Sequence, residues 1–133
     1  HIHFNIILEH CELIWVLGVL FVDVCEELTN YNITSKRAST IIKLAVATCT
    51  RINQTIETLS HMLYRGSSLY NNIIALLYLV TTSHFYFQKS SCPFGILPYD
   101  LKLFAISFAK VLSRVFPQLV SHRNKTTNGS IDV

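Results

Sequence analysis

Apolar residues recur along most of this chain at steps of three and four, the spacing that lines one face of an α-helix. The cleanest run covers 41–63. Ile42, Ala45, Cys49, Ile52, Ile56, Leu59 and Leu63 form a seam there, with Lys43, Thr50, Gln54, Glu57 and His61 mostly off it. Upstream, residues 11–29 predict a first long helix. Its centre, Leu13 to Val22 (LIWVLGVLFV), is apolar nearly all round and is closed by Asp23, Glu26 and Glu27. A helix of that kind is buried on several sides. Residues 69–82 are apolar on two sides through Leu69, Ile73, Leu76, Leu77 and Val80, and predict a central helix. A last helix is predicted over 98–115. Pro98 suits its first turn, where a missing N–H costs nothing, and Asp100 places negative charge near its N-terminus, where the helix dipole favours it. Leu101, Phe104, Ala105, Phe108, Leu112 and Val115 then make one broad apolar face.

The breaks are polar. Asn30-Tyr31-Asn32 ends the first helix, since Asn tolerates a left-handed cap. Residues 34–40 (TSKRAST) read as a connection, with Ser39 or Thr40 capping the helix that follows. Arg65-Gly66-Ser67-Ser68 breaks that helix, Gly66 fitting its C-terminal cap and Ser67 or Ser68 the next N-cap. Residues 85–97 (FYFQKSSCPFGIL) read as irregular, with Pro93 and Gly95 marking a loop. Phe85 to Phe87 is either a short extended piece or a continuation of the helix before it. Pro117 discourages continuation of the last helix. No strand pattern is present. The expectation is an all-α protein, one bundle of four to five helices. It is divided into an N-terminal segment 1–10, a helical domain 11–120, and a polar tail 121–133 expected to be disordered.

Composition sharpens this. A chain of 133 residues is one domain by length and buries a real core without staples. A mean hydropathy of +0.38 raises the question of a membrane. A span needs about 20 predominantly apolar residues. Ile6 to Val24 comes closest, interrupted by Glu9, Glu12 and Asp23. The same carboxylates interrupt where a signal peptide would place its apolar core. A buried bundle explains the composition more simply, and a membrane-associated or secreted helical protein is kept as the alternative. The chain starts at His1 without methionine and reads as a fragment or processed product. The net charge of +3 is unevenly placed. Residues 1–30 hold Glu9, Glu12, Asp23, Glu26 and Glu27 and no Lys or Arg, and from Lys36 onward the chain is basic. The basic residues are spread singly apart from Lys36-Arg37, so no stripe tracks a phosphate backbone and no nucleic-acid partner is expected.

Reactive residues are few. Cys11, Cys25, Cys49 and Cys92 are not arranged as CxxC. Cys25 and Cys49 sit among apolar neighbours, where free cysteine behaves as a small hydrophobe, and a reducing compartment is expected. Asn-x-Ser/Thr sequons at Asn32, Asn53, Asn124 and Asn128 pull the other way, although they carry information only on secreted surfaces. His1, His3, His10 and Cys11 resemble metal ligands at first sight. A zinc site needs four converging ligands and no second cluster supplies them, so neither metal nor cofactor is expected. Ser60-His61 and Ser83-His84 are adjacent in sequence, and helical neighbours do not face each other. GxSxG, a phosphate-cradling glycine loop and HExxH are all missing. A non-catalytic protein is expected.

The order of segments resembles the cyclin box of the P/U-type cyclins, which activate cyclin-dependent protein kinases. Glu12-Leu13-Ile14-Trp15-Val16 through Glu27-Leu28-Thr29-Asn30-Tyr31-Asn32 is similar to their N-terminal helix. Ile56-Glu57-Thr58-Leu59-Ser60-His61-Met62-Leu63 resembles the end of the first box helix, and Ser68-Leu69-Tyr70 through Ala75-Leu76-Leu77-Tyr78-Leu79-Val80 the second. Ile96-Leu97-Pro98-Tyr99-Asp100-Leu101-Lys102-Leu103-Phe104-Ala105 through Phe108-Ala109-Lys110-Val111-Leu112 resembles the third, with its Ala-Lys pair before two apolar residues. The likeness covers roughly 12–115. The chain turns polar after Val120, where the fourth and fifth box helices would follow. The resemblance implies a regulatory protein of the nucleus or cytoplasm that binds a cyclin-dependent protein kinase. It implies that Lys110 contacts the kinase beside its regulatory helix. The helix face around Lys102, Ser107, Lys110 and Arg114 is the expected partner-binding surface.

Overall fold

The structure, a computed structural model, describes residues 2–30, 32–89 and 98–117. It holds four helices: α1 (Ile2–Leu28), α2 (Ser35–Ser60), α3 (Ser68–Lys89) and α4 (Pro98–Val115). No strand occurs among the described residues. The all-α bundle expected from the apolar periodicity is the fold observed.

The helix starts differ from the sequence expectation in two places. α1 begins at Ile2, so residues 2–10 are its first turns and not a separate segment. α2 begins at Ser35, inside the stretch read as a polar connection. Its N-cap is Thr34, extended at φ −75° and ψ 157°, whose hydroxyl accepts from the Arg37 N–H at 3.1 Å. That hydroxyl satisfies one of the donors a helix start leaves unpaired. Ser39 and Thr40 lie within the helix, and the Thr40 hydroxyl donates to the Lys36 carbonyl instead. Ser67 is the N-cap of α3, its Oγ accepting from the Tyr70 N–H at 3.1 Å.

The helix ends also depart from expectation. Gly66 does not cap α2, which already ends at Ser60 with His61 as its cap. At φ +87° Gly66 instead carries the turn in which the Ser67 N–H reaches the Tyr64 carbonyl at 3.2 Å; only glycine adopts that backbone without steric cost. Asn30 takes no left-handed cap. Its side chain accepts from the Asn32 N–H at 3.0 Å, an Asx turn. Phe85 to Phe87 continue α3, which runs to Lys89. The expected loop around Pro93 and Gly95 and the expected tail 121–133 lie outside the described residues.

Neighbouring helices run antiparallel. Along the α2–α3 seam Thr50 meets His84 while Asn53 meets Thr81, so one helix ascends as the other descends. Along α1–α4, Cys25 sits beside Leu101 and Ala105, Gly18 against Phe108 and Leu112, and Cys11 beside Val115 and Phe116. The seams are α1–α2, α2–α3, α3–α4 and α1–α4. Four helices therefore stand in a ring, each packed on the next and the last on the first. The α2 seam Ile42, Ala45, Cys49, Ile52, Ile56 and Leu59 is buried as predicted. Phe21 joins three helices at the centre: its ring lies 6.2 Å from that of Phe87 and 4.9 Å from that of Phe108. Thr48, Thr55 and Ser83 are buried but satisfied, each hydroxyl donating to the carbonyl four residues earlier at 2.7–2.8 Å.

Candidate functional site

α4 separates its residues by side. Leu101, Ala105, Phe108 and Leu112 are buried in the bundle, with Phe104, Val111 and Val115 half-buried beside them. Lys102, Lys110 and Arg114 stand exposed, and Ser107 is half-buried. At 100° per residue these four do not form one point. Lys110 is on the outermost line, Lys102 turns toward α1, and Ser107 and Arg114 turn toward α3. Lys102 and Ile106 line a groove with Cys25 and Glu26 of α1 and Thr29 just beyond its end, whereas Arg114 borders a hollow with Ser68, Leu69 and Asn72 of α3. The structure thus brings Lys110 into the middle of a face and sets the other three around it.

The residues that sequence reasoning did not single out are Leu103 and Ile106. They are 49% and 54% exposed on the same outer face, between Lys102 and Lys110. Both are apolar neighbours of the Leu101–Leu112 seam, so the sequence pattern alone does not separate them from it. Between Asp100 and Pro117 the helix carries no acidic residue. The face is therefore two bulky apolar side chains enclosed by three cations and one hydroxyl. Such a composition suits a partner surface with an apolar patch and carboxylates around it.

The other chemistry is quiet. Ser83 donates to Leu79 and His84 lies half-buried with Nε2 3.4 Å from the Thr50 hydroxyl. Thr50 spends its own proton on the Val46 carbonyl, so His84 donates there. Ser60 donates to the Glu57 carbonyl. His10 donates from Nδ1 to the Ile6 carbonyl at 2.8 Å, and Cys11 is buried. Among the described residues no group of three His, Cys, Asp or Glu side chains converges as a metal site. Cys11, Cys25 and Cys49 are free thiols. Burial pushes those of Cys25 and Cys49 up to about 12 and, with help from Glu12, that of Cys11 to about 11. They behave as core groups and not as nucleophiles. Asn53, within a sequon, is half-buried and donates to Thr81 of α3. Cys92 lies outside the described residues.

α1 gives one result the sequence reading did not. Phe4–Leu28 is long and apolar enough to cross a membrane, with a mean hydropathy of 1.8. Its carboxylates are spaced so that 18 consecutive residues hold no more than two charged side chains. Ile14, Phe21 and Cys25 on one side of it are nevertheless fully buried in the core. No protein-family model, curated protein or solved structure matches this chain.

Proposed function

We propose that the chain is a non-catalytic helical interaction module that docks a protein through the outer face of α4. A cyclin-dependent protein kinase is the partner implied by the cyclin-like order of its segments. One observation carries the reading: Leu103 and Ile106 stand half exposed among Lys102, Lys110 and Arg114, on a helix whose opposite side holds the core. A partner that covers these apolar side chains and brings carboxylates to the cations around them gains from both contacts. The test is co-purification of the tagged chain from its native cells with mass spectrometry of what accompanies it. Recovery of a cyclin-dependent kinase, reduced at least tenfold by Lys110→Glu, is the expected result. Recovery of no kinase, or of one indifferent to that substitution, overturns the reading.

A second reading is membrane association, favoured by the apolar length of Phe4–Leu28. In it α1 leaves the bundle for the bilayer. Retention of the chain in alkaline-washed membranes would establish it. Release into the supernatant would dismiss it.

A further inference from the structure

The outer faces of α1 and α4 lie side by side, and their charges are opposite. On α1, Glu12, Val16, Asp23 and Glu26 are exposed; on α4, Lys102, Leu103, Ile106 and Lys110 are. The two sets flank one shallow groove. It is floored by Trp15, Val19 and Val22 of α1 and Ala109 of α4 at one level, and by Cys25 and Ala105 at another. Yet the charges do not pair within the chain. Among the described residues the one ion pair is Glu27–Arg37 at 2.7 Å, on a different side of α1. We propose that this face binds a second copy of the same chain, α1 of each copy lying on α4 of the other. The proposal rests on the reading of α4 as a docking face. It adds that self-association covers that face, so dimer and kinase complex exclude one another.

Symmetry makes the inference specific. Two identical faces meet most simply across a two-fold axis lying in the interface plane, giving the same contacts twice. If that axis crossed the helices, α1 would lie on α1, acid on acid, and α4 on α4, base on base. If it runs along the helices, α1 lies antiparallel on α4 of the other copy and every level is kept. Glu26 already stands level with Lys102, across the groove within one copy. In the dimer Glu26 meets Lys102 of the second copy, with Asp23 between Lys102 and Lys110. Val19, level with Ala109, settles between Ile106 and Lys110 of the second copy. Like charges facing each other are strongly disfavoured and opposite ones set register, so only the second arrangement is allowed.

The experiment is sedimentation equilibrium of the full 133-residue chain and of two variants, Asp23→Lys/Glu26→Lys and Lys102→Glu/Lys110→Glu. All four positions are exposed, and circular dichroism checks that each variant keeps its helices. The expected result is twice the chain mass of 15.2 kDa for the wild type, weakened by salt, and monomers for either variant alone. An equimolar mixture of the two variants restores the dimer, because the introduced lysine pair then meets the introduced acidic pair, and the native lysine pair meets the native carboxylates of the other variant. A monomeric wild type, a dimer that survives both variants, or a mixture that fails to associate each overturns the proposal. Asp23→Lys/Glu26→Lys leaves α4 untouched and therefore still recovers the kinase. Loss of kinase with an intact charge-swapped dimer would sink the functional reading and leave this one standing.

Discussion

At Gly18, side chains of α4 pack directly against the backbone of α1, and the position offers the sharpest stability test. A Cβ built there would lie 2.6 Å from Cδ1 and 3.0 Å from Cδ2 of Leu112, and 3.0 Å from Cε1 of Phe108. Two effects oppose each other in Gly18→Ala. Helix propensity gains about 1 kcal/mol. Overpacking costs about 1–3 kcal/mol, and about 2 kcal/mol of that applies here, because Leu112 and Phe108 are buried but meet the new methyl with the far ends of their side chains. The expected net is a loss of about 1 kcal/mol. Gly18→Val, which adds bulk and gains less propensity, loses about 3 kcal/mol. Urea denaturation followed by far-ultraviolet circular dichroism reads these as falls in midpoint at constant slope, on the order of 0.5 M for the first. Leu112→Ala removes the obstructing atoms. Combined with Gly18→Ala it therefore costs less than the sum of the two singles by about 1 kcal/mol, the mark of residues in direct contact. A Gly18→Ala protein with a raised midpoint would show propensity acting alone and would refute the close approach of the two helices.

Four further outcomes are expected. Phe108→Ala, which removes the ring that meets Phe21 at 4.9 Å, destabilises by about 3–5 kcal/mol in the same titration. Thr34→Ala costs about 1 kcal/mol as the loss of an N-cap, whereas Ser39→Ala and Thr40→Ala cost almost nothing; equal effects at the three positions would misplace the start of α2. The folded thiols of Cys25 and Cys49 titrate at about 12 against an ordinary 9.0. The unfolded chain releases those protons first, so stability is fully present below pH 9. It then falls as pH rises from 9 toward 12, by up to about 1.4 kcal/mol per pH unit for each thiol, which denaturation across that window measures. The same two thiols stay unmodified by a thiol reagent in the native protein near neutral pH and react on adding urea; prompt native labelling would place them elsewhere than the core.

The parts of the fold legible in the sequence are those where burial is one-sided. α2 is half polar, so its apolar seam stood out and proved buried from Ile42 to Leu59. α4 was legible to the residue because Pro98 and Asp100 mark its start chemically. The failures have a common cause. The first turn of α2, SKRAS, makes few core contacts beyond Ala38, so no period reveals it and only the Thr34 hydroxyl shows where it begins. The first turns of α1 expose Phe4, Ile6 and Leu8 and likewise lack the alternation that identifies a helix. Of the candidate face, the three cations were legible as positions off the seam. Leu103 and Ile106 were not, because an apolar residue beside an apolar seam reads as part of it until the packing shows which side is covered. Ser107 lies toward α3 because helix rotation, and not proximity in sequence to Lys110, decides which flank it joins.

Three of the four helix seams join neighbours in the chain; α1–α4 joins its two extremes. That closure places the first turns of α1 and the last turn of α4 at one end of the ring, where Leu8 and Cys11 share a hollow with Phe116 and Pro117. The helices accordingly form a circuit with no privileged starting point. A short linker from α4 to α1, with the chain opened in the turn between α2 and α3, would turn the most distant seam into a hairpin and make a hairpin the distant one. The same core would be reached by a different order of loop closures. Folding speed follows the sequence separation of contacts. Comparing that permutant with the native connectivity would therefore show whether α1–α4 or α2–α3 limits the rate at which the ring closes.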